Sequence, residues 1–238
     1  MENQVENEGA RRVSEPVFNI PGILVAFVGA MVAIHLAREY ILSAELDNRF
    51  VMLMAFLPAR YLYPLFDQDA GWFVGPVGYS FLHGGFIHLI FNCAWLLAFA
   101  SPLAQRIGSV RFVVLWITSA VASAFFQAYV TDFANVVLIG ASGVVSATFG
   151  AACRFSLPLS GTPAMRFSQY APRLGIIEAL THRSVIMFII VWALSNALVV
   201  YGAGVPSNGN YNVAWQAHVG GFLFGYLTFG LFDRKAQR

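Results

Sequence analysis

The sequence predicts an all-α membrane protein, a bundle of six transmembrane helices, and three observations carry the prediction. Of 238 residues 58% are hydrophobic and only 11% charged, at a mean hydropathy of +0.66, so the polar side chains are too few to cover a globule in water. Six stretches, about 22–42, 79–103, 112–131, 136–157, 184–205 and 213–231, are apolar over the length that crosses a hydrocarbon core. Basic residues, finally, fall mostly in the connections that six spans put on one side of the membrane.

Residues 1–20 (MENQVENEGARRVSEPVFNI) mix Glu2, Glu6, Glu8 and Glu15 with Arg11 and Arg12. That is the pattern of neither a signal peptide nor an Arg-rich, acid-poor transit peptide, and a short cytoplasmic tail is expected. The membrane domain is expected over 21–232, with span one leading into an outer loop over 43–78. Inside that loop VMLMAFLPARYLYPLF (51–66) is apolar, but Pro58 and Arg60 interrupt it, which favours an interfacial or re-entrant loop over a seventh span. Spans two to six follow, and 233–238 is expected to form a second cytoplasmic tail.

Orientation follows from Lys and Arg. With the N-terminus inside, Arg11, Arg12, Arg106, Arg111, Arg154, Arg166, Arg173, Arg183, Arg234, Lys235 and Arg238 are cytoplasmic, and only Arg38, Arg49 and Arg60 lie outside. Glu39, Glu45, Asp47, Asp67, Asp69 and Asp132 also lie outside, so the positive-inside rule puts both termini in the cytoplasm. A cell (inner) membrane is the expected location. A net charge of +2 is too small to suggest a nucleic-acid partner. Cys93 and Cys153 sit inside apolar segments and read as small core residues, with neither a disulfide framework nor metal spacing. No cofactor and no metal is expected, and the sequence assigns no oligomeric state.

The run VVLIGASGVVSATFGA (136–151) raises the functional question, because Gly140, Ala141, Ser142 and Gly143 interrupt a stretch apolar enough to enter lipid. Spans two, four and six run from outside to inside, so depth can be counted from the charge that ends each. Asn92 lies 14 residues before Arg106, Ser142 lies 12 before Arg154, and His218 lies 15 before Asp233. At 1.5 Å per residue all three fall about 18–23 Å above the inner boundary of a core about 30 Å thick. Polar side chains are costly there unless they face each other or water. Any one of them is also explained as helix-to-helix glue.

Glycines tie the three together. In AHVGGFLFG, His218, Gly221 and Gly225 lie on one face of a helix whose smooth side lets another backbone come close. Span four offers Ser142, Ser146 and Gly150 along one stripe, with Gly143 and Ala147 beside it. Two such faces in contact bring the Ser142 hydroxyl within reach of the His218 imidazole, the minimum apparatus for nucleophilic acyl transfer. No Asp or Glu sits at this depth, so a dyad is expected, with the imidazole oriented by packing. In HGGFIHLIFN, His88 and Asn92 are four apart and can point donors at one place, to which a helix starting near Ser142 adds its amides. Gly140 and Gly143 are expected to let the chain turn there, and His83, nearer the outer surface, to order a loop.

HGGFIHLIFN, GASG and AHVGGFLFG, in this order on spans two, four and six, resemble the rhomboid family of intramembrane serine proteases over residues 79–231. The resemblance implies a rhomboid-like bundle with a short central fourth helix, and an active site opening to the outer (periplasmic) side. It implies Ser142 as nucleophile, His218 as base, and His88, Asn92 and the Ser142 amide as the oxyanion site. It also implies transmembrane protein substrates cut near the outer boundary of the lipid bilayer, and helix-weakening residues favour attack. Two departures stand out: where many rhomboids carry a Trp-Arg pair in the outer loop, Arg60 is followed by Tyr61 and Trp72 stands apart. Where some carry an aromatic residue one turn after the serine, this chain has Ser146. The Gly- and Asn-rich connection 201–216 above His218 reads as a movable cap or an ordinary loop.

Three rival readings remain. A catalytically silent rhomboid-like protein that binds membrane helices usually lacks the serine or the histidine, and both are present. A transporter calls for internal repeats and a charged coupling site. A metal site from His83, His88 and His218 lacks a carboxylate and a common layer.

Overall fold

The longest apolar runs form the longest helices. The structure, a computed structural model, describes residues 20–200 and 214–233. Most of the expected N-terminal tail, most of the 201–216 connection and all but the first residue of the C-terminal tail therefore lie outside the described residues. The helices are α1 (Gly22–Tyr40), α2 (Ala44–Met54), α3 (Gly71–Gly78), α4 (Phe86–Ile107), α5 (Ser109–Val130), α6 (Ser142–Ala152), α7 (Ile176–Ala179), α8 (Arg183–Val200) and α9 (Trp215–Phe232), with short 3-10 turns between some of them. Among them α1, α4 and α5 are long and apolar enough to cross a membrane by length and composition. No strand occurs among the described residues beyond one isolated bridge, and the protein is an all-α membrane bundle.

The outer loop is built from short pieces with local causes. Ser43 caps α2 by accepting from the Leu46 amide at 3.3 Å, and Glu45 and Asp47 sit in its first turn, where the helix dipole favours acids. Arg38 bonds Asp47 at 2.7 Å and donates to the His83 carbonyl at 3.0 Å, tying α1, α2 and the start of α4 together. Trp72, read in the sequence as standing apart, packs tilted against Tyr61 with ring centroids 5.0 Å apart, and its carbonyl accepts the Tyr61 hydroxyl at 2.6 Å. Arg60 donates to the Met52 carbonyl at 2.8 Å and reaches Asp69 at 3.4 Å.

Of the apolar run 136–157 only Ser142–Ala152 is regular helix. The approach to it is extended, because its backbone bonds go elsewhere: Leu138 and Phe56 exchange both amide bonds, at 2.9 and 3.2 Å, and the Gly140 amide donates to the Tyr79 carbonyl at 2.9 Å. The outer loop thus holds the chain straight until the serine. Gly108, at φ +79°, turns α4 into α5 with a single residue, and at the far end of α5 the Phe133 amide reaches back to the Ala128 carbonyl at 2.7 Å.

The core that positions the site is the contact of α5, α6 and α9. A Cβ added at Gly221 would lie 2.0 Å from the Gly143 carbonyl oxygen, one at Gly225 1.9 Å from that of Ala147, and one at Gly150 2.3 Å from that of Phe222. The backbones therefore touch in register. Ser123 on α5 fits against the same place, its hydroxyl satisfied by the Ser119 carbonyl of its own helix at 2.7 Å. Gly143, expected to permit a turn, lies inside α6; its role is packing, since a Cβ there would sit 2.8 Å from Ser123 Cβ and 3.1 Å from the Tyr79 hydroxyl. Gly225→Ala must push α9 off α6, and a loss of stability at or above the upper end of the ~1–3 kcal/mol cost of overpacking is expected in reversible unfolding from detergent. Gly29→Ala on α1, where a Cβ meets nothing within 4 Å, is expected to leave stability unchanged or raise it by up to ~1 kcal/mol.

At the opposite end of the bundle the two arginines expected to end spans two and four on the cytoplasmic side are buried. Arg106 is 3% exposed and Arg154 5% exposed. Their guanidiniums tie the long connection after α6 to α9: Arg154 donates to the carbonyls of Leu174 in the connection at 2.9 Å and of Tyr226 on α9 at 2.7 Å, and Arg106 to that of Ala171 in the connection and to the Asp233 carboxylate at the end of α9 at 2.8 Å. Of the cysteines, Cys153 is buried and Cys93 half-buried, and both are free.

Candidate active site

Ser142 is the first residue of α6, held at the end of the extended run by Gly140, whose φ of +120° favours a residue without a Cβ. The close α6–α9 contact sets His218, in the first turn of α9, opposite it. His218 Nε2 lies 2.7 Å from Ser142 Oγ. Both residues are half-buried. The first i→i−4 bond of α6 runs from Val145 to Ala141, so the amides of Ser142, Gly143 and Val144 have no acceptor within the helix and point out of its N-terminus. A hydroxyl bonded to an imidazole beside a set of helix-end amides can pass its proton to nitrogen as oxygen attacks, while donors face the charge that develops.

His88, in the first turn of α4, completes one wall. A Cβ at Gly140 would meet His88 Cε1 and Nε2 at 2.8 Å and Ser142 Oγ at 3.7 Å, so the imidazole edge, the glycine and the serine are immediate neighbours. Its other nitrogen, Nδ1, faces the Gly84 amide at a long 3.5 Å. Asn92, the second expected donor, is buried one turn further along α4 and gives one amide hydrogen to the His88 carbonyl at 2.9 Å. Its second hydrogen is free of that bond. His83 packs its ring across that of His88, centroids 5.2 Å apart at 68°, and its carbonyl takes the Arg38 bond that anchors the loop. Ser142, His218, His88 and Gly140 are thus brought together, Gly143, Gly221 and Gly225 make the contact that does so, and His83 stands behind His88.

One participant escapes the sequence reading. The imidazole is not left to packing: His218 Nδ1 is hydrogen-bonded to Oδ1 of Asn196 on α8. The Asn196 amide nitrogen donates to the Trp192 carbonyl at 2.7 Å. The signal for it was an Asn in the apolar run ALSNALVV (193–200).

The chain matches the family model of the Rhomboid domain over residues 70–234. It is 30% identical over 152 residues to "Rhomboid protease GlpG" of Serratia proteamaculans (strain 568), covering 63% of this chain and 45% of that protein. To the protein of the same name from Yersinia enterocolitica it is 29% identical over 151 residues, covering 63% of this chain and 45% of the relative. It is 28% identical over 151 residues to that of Yersinia pestis (strain Pestoides F). The matched stretch is less than half the length of these curated relatives. With its apolar helices and a family match that spans most of its length, this multi-pass integral membrane protein belongs to the rhomboid family.

Proposed function

We propose that this chain is an intramembrane serine endopeptidase that hydrolyses peptide bonds in or next to transmembrane segments of membrane-protein substrates. The observation that carries the reading is the 2.7 Å contact of Ser142 Oγ with His218 Nε2 at the N-terminus of α6. The name of the relatives, rhomboid protease, supports it. Ser142 Oγ attacks the scissile carbonyl as its proton passes to His218 Nε2. The negative oxygen that results is met by the Ser142 amide, by His88 Nε2 and by the uncommitted hydrogen of Asn92. The imidazolium then returns the proton to the leaving amine, which departs and leaves an ester on Ser142. Water, deprotonated by the same imidazole, cleaves the ester and restores the hydroxyl.

The membrane arrangement in this reading is six spans over 21–232 with both termini in the cytoplasm of a cell (inner) membrane, and a site reached from the outer, periplasmic side. A helical peptide bond is shielded by its own hydrogen bonding, so substrates are segments that unwind readily at Gly or Pro. A silent, helix-binding role gives no reason for a serine and a histidine to meet.

The test is a fluorophosphonate probe, which needs an activated serine. The detergent-solubilised protein is expected to be labelled, and Ser142→Ala to be blank. Labelling that persists in Ser142→Ala removes the protease reading.

A further inference from the structure

We propose that Asn196 is the positioning residue of this site, fixing both the tautomer and the ring orientation of His218; the proposal rests on the protease reading above. Hydrogen-bond polarity fixes the arrangement. A backbone carbonyl only accepts, so the atom of the Asn196 amide that faces the Trp192 carbonyl at 2.7 Å is the nitrogen, and the atom that faces His218 Nδ1 is the oxygen. An amide oxygen also only accepts. Nδ1 must therefore carry the proton, which leaves Nε2 with a lone pair directed at Ser142 Oγ, 2.7 Å away. This is the tautomer that can take the serine proton, and the opposite one would place two acceptors face to face on the Asn196 side.

Two further observations say why the position falls to α8. The residue one turn after Ser142 is Ser146, too small to lie against the imidazole, so α6 offers the ring no flat neighbour. On α8, Trp192 and Asn196 are one turn apart on one face. Trp192 is set into the core by Phe222, stacked at 5.0 Å, and by Phe149 at 5.8 Å, while Val191, Leu194 and Leu198 on the same helix are 57%, 59% and 56% exposed. The indole thus seats the helix at the height where Asn196 meets His218. Glue alone asks only that Asn196 bond something on α9; here the bonded atom is the ring nitrogen opposite the one that faces the serine.

The experiment compares second-order rates of fluorophosphonate labelling, with thermal unfolding in detergent recorded for each variant. Asn196→Leu keeps the volume and removes the acceptor; labelling is expected to fall by ~10–100-fold with little change in unfolding temperature. Asn196→Asp keeps an acceptor oxygen opposite Nδ1–H and is expected to label within about threefold of wild type at pH 8. A residue that only packs gives the reverse order, because Leu suits an apolar site and Asp does not. Asn196→Leu labelling like wild type, or faster than Asn196→Asp, overturns the assignment. Should Asn196→Leu fail to fold, Asn196→Asp decides: near-wild-type labelling upholds the assignment and a loss as large as that of His218→Ala overturns it. Failure of the wild type to label is a different result, which removes the protease reading itself.

Discussion

The double variant Ser142→Ala/His218→Ala is expected to cleave a transmembrane reporter no more slowly than either single variant, each of which loses roughly 10³-fold or more. In the protease reading His218 acts on the substrate only by way of the Ser142 hydroxyl, whose oxygen lies 2.7 Å from its Nε2. Once the hydroxyl is gone, the imidazole has nothing to deprotonate, and its removal costs nothing more. Independent contributions would instead multiply. On the same reading, what remains in either variant is attack by water, helped by the proposed donors that neither substitution removes: the Ser142 amide, His88 and Asn92. The comparison is made by following the cleaved product on gels with a reporter whose membrane segment carries Gly or Pro near its outer end. A His218→Ala variant that retains more than a tenth of the wild-type rate, or a double variant slower than both singles, would falsify the dyad.

That much of the candidate site was legible because lipid makes polar groups expensive. Ser142 and His218 announced themselves as costly side chains at one depth, and the glycines beside them as surfaces for close approach. The contact that follows, with Gly221 against Gly143 and Gly225 against Ala147, is the one those faces imply. Asn196 carries the same kind of signal less legibly, because no charge at the end of its span sets its depth on the ruler that Asn92, Ser142 and His218 share. Its helix runs the other way, from Arg183 near the turn after α6 up to the level of Ser142. The local pattern was silent on a second feature: nothing near Phe56 or Leu138 says that they pair, since a two-residue bridge between a loop and an apolar run has no periodicity of its own. Yet that bridge, with the Gly140–Tyr79 bond, ends the extended segment at the serine. The burial of the arginines was not legible for a related reason. Charge counts locate a residue near a boundary, and whether its head lies in water depends on carbonyls brought to it by the fold.

The arginines also carry the largest expected effect on stability. Arg106 and Asp233 join the far ends of α4 and α9 at 2.8 Å, with side chains 2% and 1% exposed, and the guanidinium lies 4.8 Å from the centre of the Phe155 ring. Asp233→Ala leaves that cation buried against aromatic rings and two backbone carbonyls without its counter-charge, and a loss of about 3–5 kcal/mol is expected. Arg106→Met/Asp233→Leu removes both charges and keeps apolar bulk, so it is expected to be more stable than Asp233→Ala by at least 2 kcal/mol, on the same ground that an unpaired buried charge costs more than no charge. Unfolding by SDS from mixed micelles checks both. A deletion that costs less than 1 kcal/mol would mean that water reaches Arg106 at this end of the bundle. If so, the pair does not hold the lower ends of α4 and α9 together, and the register that sets His218 against Ser142 must come from the glycine contacts alone.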